Sequence, residues 1–171
     1  MDASGVVVGP CQERDWPRVI DLPMSVFVGE GHVGAERGRR VNRRETIEPG
    51  GTVLAARQAG EVLGVVVLPH RESPLKLLAR EGEAEIRMLA VDPRARGRGG
   101  GEMLVSECIR LASGPPHSAR AIVLWTQPQM AAAQRLYERL GFIRVPERDT
   151  QFPAQADGHE RLARWAYRRA L

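Results

Sequence analysis

The sequence predicts a mixed α/β domain. Three observations carry that reading. A strand comes first, and β-rich runs then alternate with helical patterns along the chain. The length of 171 residues fits one ordinary domain. A hydrophobic content of 43% beside 27% charged residues is a globular mix and not a disordered one. A domain of this size buries roughly 70% of its unfolded surface, enough for a core without metal or disulfide staples. Residues 1–171 therefore read as a single domain.

Gly5–Val8 is a short apolar run and the first expected strand. Asp15 precedes Trp16-Pro17, a favourable helix start because the missing proline N–H costs nothing there. The helix runs from about Trp16 toward Val28, interrupted near Pro23. Gly29–Glu48 is polar, carries Arg37, Arg39, Arg40, Arg43 and Arg44, and is broken by Pro49-Gly50-Gly51. Thr52–Gln58 and Val62–Leu68 are β-rich, and Ala59-Gly60-Glu61 between them reads as a hairpin. Arg71–Glu83 is a connection. Glu85–Val91 reads as one strand, with Ile86, Met88 and Ala90 alternating against Glu85, Arg87 and Leu89. A loop rich in Arg and Gly spans Asp92–Gly101. A helix from about Gly99 to Ala112 follows, with Leu104, Cys108, Leu111 and Ala112 on one face. Cys108 on that face reads as core and not as a nucleophile. Ala121–Thr126 is a buried-type strand. Met130–Leu140 is a helix capped by Gly141, and Phe142–Val145 a short strand. Arg161–Leu171 fits both periods: Trp165 and Tyr167 alternate like a strand, while Leu162, Trp165 and Ala166 suit a helix.

Composition removes several function classes. No stretch approaches the ~20 apolar residues of a membrane span. The N-terminus lacks the basic start and long apolar run of a signal peptide. Cys11 and Cys108 stand far apart with no CxxC, against a disulfide framework and a zinc ribbon, and the expected compartment is the cytoplasm. His32, His70, His117 and His159 are isolated, so no metal site is expected. GxSxG is absent. Net charge is +4, and of the 25 basic residues Lys76 is the one lysine and the other 24 are arginine. Arginine grips phosphates with a planar fork. The skew suits phosphate binding, and it equally suits a GC-rich genome.

The densest signal follows the Glu85–Val91 strand. Asp92-Pro93 turns the chain into Arg94-Ala95-Arg96-Gly97-Arg98-Gly99-Gly100-Gly101, and a helix begins behind it. Four glycines in five residues let backbone approach a ligand closely. The helix N-terminus offers unpaired N–H groups and the positive end of its dipole. Together they form an anion cradle, with Arg94, Arg96 and Arg98 around it. No Lys completes a Walker loop, and Glu102 and Leu104 stand where a dinucleotide fingerprint needs glycine. What remains is Arg96-x-x-Gly99-x-Gly101.

That pattern resembles the pyrophosphate loop, Q/R-x-x-G-x-G/A, of the GCN5-related N-acetyltransferases, the GNAT family. The upstream LAVDP (Leu89–Pro93) and downstream RLYERLGF (Arg135–Phe142) are similar to the family's fourth strand and second motif, in the same order. The resemblance covers roughly residues 50–145. It implies a mixed, mostly antiparallel sheet of six to seven strands, splayed between the fourth and fifth and flanked by about four helices. It implies acetyl-CoA as co-substrate, with Arg96, Gly97, Arg98, Gly99, Gly100, Gly101 and Glu102 at its pyrophosphate. Main-chain atoms of Leu89, Ala90 and Val91 would pair with the pantetheine arm, and an N–H near Leu89 would stabilise the oxyanion. Tyr137 matches the family's general acid, which returns a proton to the CoA thiolate. Glu85 sits where several members place a catalytic carboxylate, making it the candidate base. Glu83, on the same strand face, and an ordered water stay beside it as alternatives. Many relatives carry Asn where this chain has Met130, with Gln127 or Gln129 as candidate substitutes.

The implied activity is direct acetyl transfer to a primary amine of a small molecule or peptide. Homodimers are common among such enzymes, and one is carried as an expectation. A catalytically silent acyl-CoA sensor is the first rival. A nucleic-acid binder is the second, and it expects basic residues interleaved with aromatics. No aromatic lies in Arg37–Arg44 or Arg94–Gly101. Arg37–Arg44 lies where the family builds its acceptor wall, and a solvated helix face accounts for the same residues.

Overall fold

A computed structural model describes residues 5–151 and 163–171. The first four residues, His159, and Arg161 and Leu162 of the last segment lie outside the described residues. The first strand, β1 (Val7–Pro10), starts slightly later than its apolar run. A 3₁₀ turn at Glu13–Asp15 leads into α1 (Trp16–Pro23), which buries Trp16, Val19 and Leu22 along one stripe. Pro23 ends the regular helix, as its missing N–H requires. The chain does not stop there, because Met24–Val28 continue as a π-helical turn with Val26 buried.

The polar stretch that follows holds two short helices, α2 (Ala35–Val41) and α3 (Arg44–Gly50). Their buried positions are Gly38 in α2 and Ile47 and Gly50 in α3, too few to write a helical period into the sequence. β2 (Gly51–Gln58) and β3 (Glu61–Pro69) form the expected hairpin. Its turn is tighter than three residues: Ala59 and Gly60 join the strands at φ 50° and 83°. A pair of positive φ values is the signature of the primed turn whose twist suits a hairpin.

The Glu85–Val91 strand is not continuous. β4 (Glu83–Glu85) and β5 (Arg87–Val91) are separate strands on either side of Ile86, and Met88 sits at φ 55°. α4 (Gly100–Ser113), β6 (Ala121–Thr126) and α5 (Ala131–Arg139) fall close to their expected bounds. Gly141, at φ 81°, closes α5 in the left-handed conformation a C-terminal cap needs. β7 is only Ile143–Arg144, β8 is Thr150–Gln151, and β9 (Ala163–Ala170) makes the ambiguous last segment a strand.

Two sheets result. The first has the antiparallel order β1-β2-β3-β5. The second runs β4-β6-β9-β7, with β8 also beside β9; its β4–β6 pair is parallel and the pairs with β9 are antiparallel. Alternate residues of the first sheet serve opposite cores. Leu54, Ala56, Val66 and Leu68 pack with Leu104, Val105 and Cys108 of α4. Val53, Ala55, Val65 and Val67 pack with Trp16, Val19 and Leu22 of α1. Cys108 is fully buried, as its helical face predicts, and burial pushes its thiol well above the usual range.

The two sheets part at one point. Ile86 N–H donates to Val123 O, the last link between the strands. Beyond it, β5 pairs with β3, and the rest of β6 pairs with β9. One stretch of chain thus crosses from the second sheet to the first, and a wedge opens between β5 and β6. This is the splay the family resemblance implies.

Candidate active site

The glycine loop sits at the mouth of this wedge. Asp92 fixes its start: Oδ1 accepts the Arg94 N–H at 2.9 Å, and Oδ2 accepts Arg18 Nη2 at 2.5 Å and Arg94 Nη2 at 2.8 Å. Gly97 and Gly99 take φ values of 79° and 83°, which L side chains rarely adopt. Gly99 is the N-cap of α4. The N–H groups of Gly97, Gly99, Gly100, Gly101 and Glu102 have no acceptor among the described residues. Several unmet donors at a helix N-terminus form a preorganised anion site.

Those donors line a cleft of about 540 Å³ together with Leu89, Val91, Arg96, Leu136 and Tyr137. A smaller cavity of about 140 Å³ lies deeper in the wedge, between the π-helical turn, α2, β5 and β6. The two share Phe27, His32, Leu89, Met130 and Tyr137. Their meeting point is where a bound thioester and an amine would come together.

β5 is the edge strand of its sheet on the wedge side. Asp92 N–H donates to Leu63 O, and Ala90 stands opposite Val65. Main-chain groups alternate along an antiparallel strand. Ala90 therefore turns toward β3, and its side chain is buried as well. Leu89 and Val91 turn their main chain to the open edge. The expected contribution of Ala90 is corrected on this ground. The Arg98 N–H donates to Ala95 O at 3.4 Å, and its guanidinium meets Gln58 Oε1 at 3.2 Å. Arg96 lines the cleft, and is held at 2.6 Å by Glu30.

Tyr137 stands on the inner face of α5, its ring 5.9 Å from that of Phe142 and 6.2 Å from that of Tyr167. Burial pushes its phenol well above the ordinary value, so it keeps its proton at neutral pH. Glu85 is placed quite differently. It is fully buried, and its Oε2 accepts the N–H groups of Leu77, Leu78 and Ala79 at 2.9, 2.8 and 2.9 Å. Its Oε1 lies 3.3 Å from Arg87 Nη1. This carboxylate anchors the 77–79 loop and does not line either cavity. A base needs reach to the proton it takes, so the expected role of Glu85 is corrected. Glu83 is also engaged, by Arg148, Arg168 and the Arg80 N–H.

Met130 lines both cavities in place of the family's Asn. Gln127 does not substitute for it, because its amide donates to His32 O at 2.7 Å, and Gln129 in turn donates to Gln127 Oε1 at 2.6 Å. His32 is the residue sequence reading missed. Its Nε2 meets Glu30 Oε2 at 3.2 Å, and its buried Nδ1 has no partner among the described residues. No spacing motif marks it; only the π-helical turn brings it to the wedge. Of the arginine cluster, Arg37 reaches the inner cavity. Arg39, Arg40 and Arg43 are exposed, and Arg44 pairs with Glu13 and Glu48. Among the described residues no group of three His, Cys, Asp or Glu could hold a metal ion, and no helix is long and apolar enough to cross a membrane.

A family model described as Acetyltransferase (GNAT) family matches residues 16–142. The chain belongs to the GNAT acetyltransferase family. It is 32% identical over 132 residues to mycothiol acetyltransferase of Mycobacterium leprae, covering 69% of this chain and 40% of that protein. The chain thus spans about two fifths of the length of that relative. N-alpha-acetyltransferase RimI of Mycobacterium tuberculosis is 27% identical over 146 residues, covering 84% of this chain and 82% of that protein. Among solved structures, a ribosomal-protein-alanine N-acetyltransferase from Brucella melitensis superposes with a TM-score of 0.70 at 21% identity, covering 96% of this chain and 99% of that one. A putative acetyltransferase from Salmonella typhimurium, solved with acetyl-CoA, gives a TM-score of 0.67 at 19% identity, covering 97% of this chain and 94% of that one. These structural likenesses establish the GNAT fold.

Proposed function

We propose that this GNAT protein transfers the acetyl group of acetyl-CoA to a primary amine by direct attack in a ternary complex. One observation carries the reading: the unmet N–H donors of the glycine loop open into the cleft that ends at Tyr137 and the free edge of β5. An anion bound at the loop would lead its attached arm along that edge.

When bound, acetyl-CoA supplies the activated acetyl group and a thiolate leaving group. The loop N–H groups of Gly97, Gly99, Gly100, Gly101 and Glu102 hold the pyrophosphate. The exposed edge of Leu89 and Val91 takes the pantetheine arm as an added strand. The Leu89 N–H, on the open edge of β5, donates to the developing oxyanion. Tyr137 gives its proton to the departing thiolate. His32, oriented by Glu30, takes the proton the amine loses. Its place at the junction of the two cavities supports that role over Glu85.

The test is Tyr137→Phe, assayed by thiol release from acetyl-CoA over a broad amine panel. Loss of a general acid costs about 10²-fold or more in kcat. The acetyl-CoA dissociation constant stays within severalfold of the parent. An unchanged kcat across the pH profile removes Tyr137 from the mechanism. Binding of acetyl-CoA with no thiol release from any amine favours a sensor module.

A further inference from the structure

Three side chains run in series from the cofactor cleft to the junction of the two cavities. Arg96 of the glycine loop lines the cleft, and its Nη2 lies 2.6 Å from Glu30 Oε1. The other oxygen of the same carboxylate, Oε2, lies 3.2 Å from His32 Nε2. His32 lines both cavities, and its buried Nδ1 has no partner among the described residues. One carboxylate thus holds a guanidinium on the phosphate side and an imidazole on the amine side.

The backbone keeps this series in place. The Glu30 N–H donates to Val26 O at 3.1 Å, and the His32 and Val33 N–H groups both donate to Phe27 O, at 2.7 and 2.9 Å. Gly31, between the two side chains, turns the chain at φ 74°. From the other side, Gln127 Nε2 donates to His32 O at 2.7 Å. Glu30 and His32 are therefore tied to the π-helical turn, and His32 also to the residue that follows β6.

The form of the ring follows from its partner. A carboxylate only accepts, so the ring nitrogen it meets carries the hydrogen, and in a neutral imidazole the other nitrogen is a bare acceptor. That nitrogen is Nδ1. A buried polar atom left unpaired in a native protein asks for a partner, and an amine N–H at the junction supplies one. The other titratable side chains lining the cavities are Arg37, Arg87 and Tyr137 at the inner one, with Arg96, Glu30, Glu102 and Arg139 at the cleft. Arginines stay protonated, Tyr137 keeps its proton, and Glu102 faces Arg139 at 3.4 Å. The Arg96 guanidinium is about half exposed at the cleft, so beyond Nη2 it keeps donors for a phosphate oxygen.

We infer that Glu30 is a positioning residue that joins the pyrophosphate loop to the base: held by Arg96, it fixes His32 with its hydrogen on Nε2, so that Nδ1 takes the amine proton. The proton step rests on the acetyl-transfer reading with His32 as base, while the form of the ring is a property of the protein alone. In that step the amine N–H bond breaks and an Nδ1–H bond forms, leaving an imidazolium whose Nε2–H stays on Glu30. Tyr137 lines the same junction, and the proton taken at Nδ1 replaces the one Tyr137 gives to the thiolate.

Nitrogen-15 NMR of the imidazole, on the protein without ligand and at a pH where the ring is neutral, tests the first part. His32 should carry its hydrogen on Nε2, and Glu30→Gln, whose amide both donates and accepts, should give a mixture of the two forms. At saturating acetyl-CoA, Glu30→Gln should lower kcat about tenfold or more without weakening CoA binding by calorimetry. Arg96→Gln should weaken CoA binding and also lower kcat at saturation, and the double variant should lose no more kcat than Glu30→Gln alone. A hydrogen on Nδ1 in the parent protein, a ring form indifferent to Glu30, an unchanged kcat in Glu30→Gln, or additive losses in the double variant overturns the inference. His32→Gln with the parent kcat removes His32 as base, and the inference with it, while acetyl transfer stands. A Glu30-dependent ring form without thiol release from any amine would uphold the Glu30 tie and sink the transfer reading.

Discussion

The Glu85 carboxylate accepts three backbone N–H groups and faces one guanidinium, so its chemistry is spent inside the protein. Glu85→Gln places an amide NH₂ among donors and leaves buried groups unpaired, at about 2 kcal/mol or more. The expected result is a Tm lowered by several degrees with the pH profile of kcat retained. A stable Glu85→Gln variant with kcat lost would restore Glu85 as the base. The place of Tyr137 on the cleft wall was legible in the sequence because it lies inside a run, LYERLGF, whose spacing also fixes the helix and its cap. The role of Glu85 was not legible, because the loop that fills its oxygens is six to eight residues away and carries no periodic signal. His32 was hidden for a related reason: nothing local distinguishes a lone histidine until the π-helical turn carries it to the wedge.

At the scale of elements, the loop between β5 and α4 holds the binding argument. Gly99 caps α4 at φ 83°, a conformation that costs an L residue roughly 1–2 kcal/mol. Gly99→Ala should therefore shift the loop and weaken acetyl-CoA binding about tenfold, read by calorimetry, with a smaller effect on kcat. Tight binding by this variant would place the pyrophosphate elsewhere. This loop was readable since four glycines after a strand have few other uses. The hairpin was readable from its β-rich runs. The break at Ile86 was not, because alternation across Glu85–Val91 describes one strand face and does not say which sheet each half joins. The parallel partner of β4 lies in β6, far along the chain, and tertiary pairing alone decides it. α2 and α3 stayed hidden because each is seven residues long and mostly exposed.

Across the whole molecule, several arginines tie one part of the chain to another. Arg148 and Arg168 hold Glu83, Arg18 and Arg94 hold Asp92, Arg57 holds Asp15, and Arg144 holds Asp149. Burial pushes the Glu83 carboxyl up, but Arg148, Arg168 and the Arg80 N–H pull it further down, to about 2 from 4.5. Arg94 first, opposed by burial, holds Asp92 at about 2, down from 3.8. A carboxylate depressed by folding stabilises the native state above its unfolded value and loses that contribution as the pH falls toward the folded one. Stability should hold near neutrality and decline between about pH 4.5 and 2, measured by thermal melts. The charge skew that first suggested phosphate binding thus supplies several ties between loops and sheets, while Arg96 and Arg139 line the cleft and Arg37 and Arg87 the inner cavity.

The central claim is that one wedge brings acetyl-CoA and an amine together for direct transfer. Thiol release and N-acetylated product, followed together in one reaction with acetyl-CoA and the amine panel, test it most directly. One thiol should form for each acetylated amine, and only when both substrates are present. Thiol release with acetyl left on the protein, or acetyl-CoA binding with neither product, would contradict it.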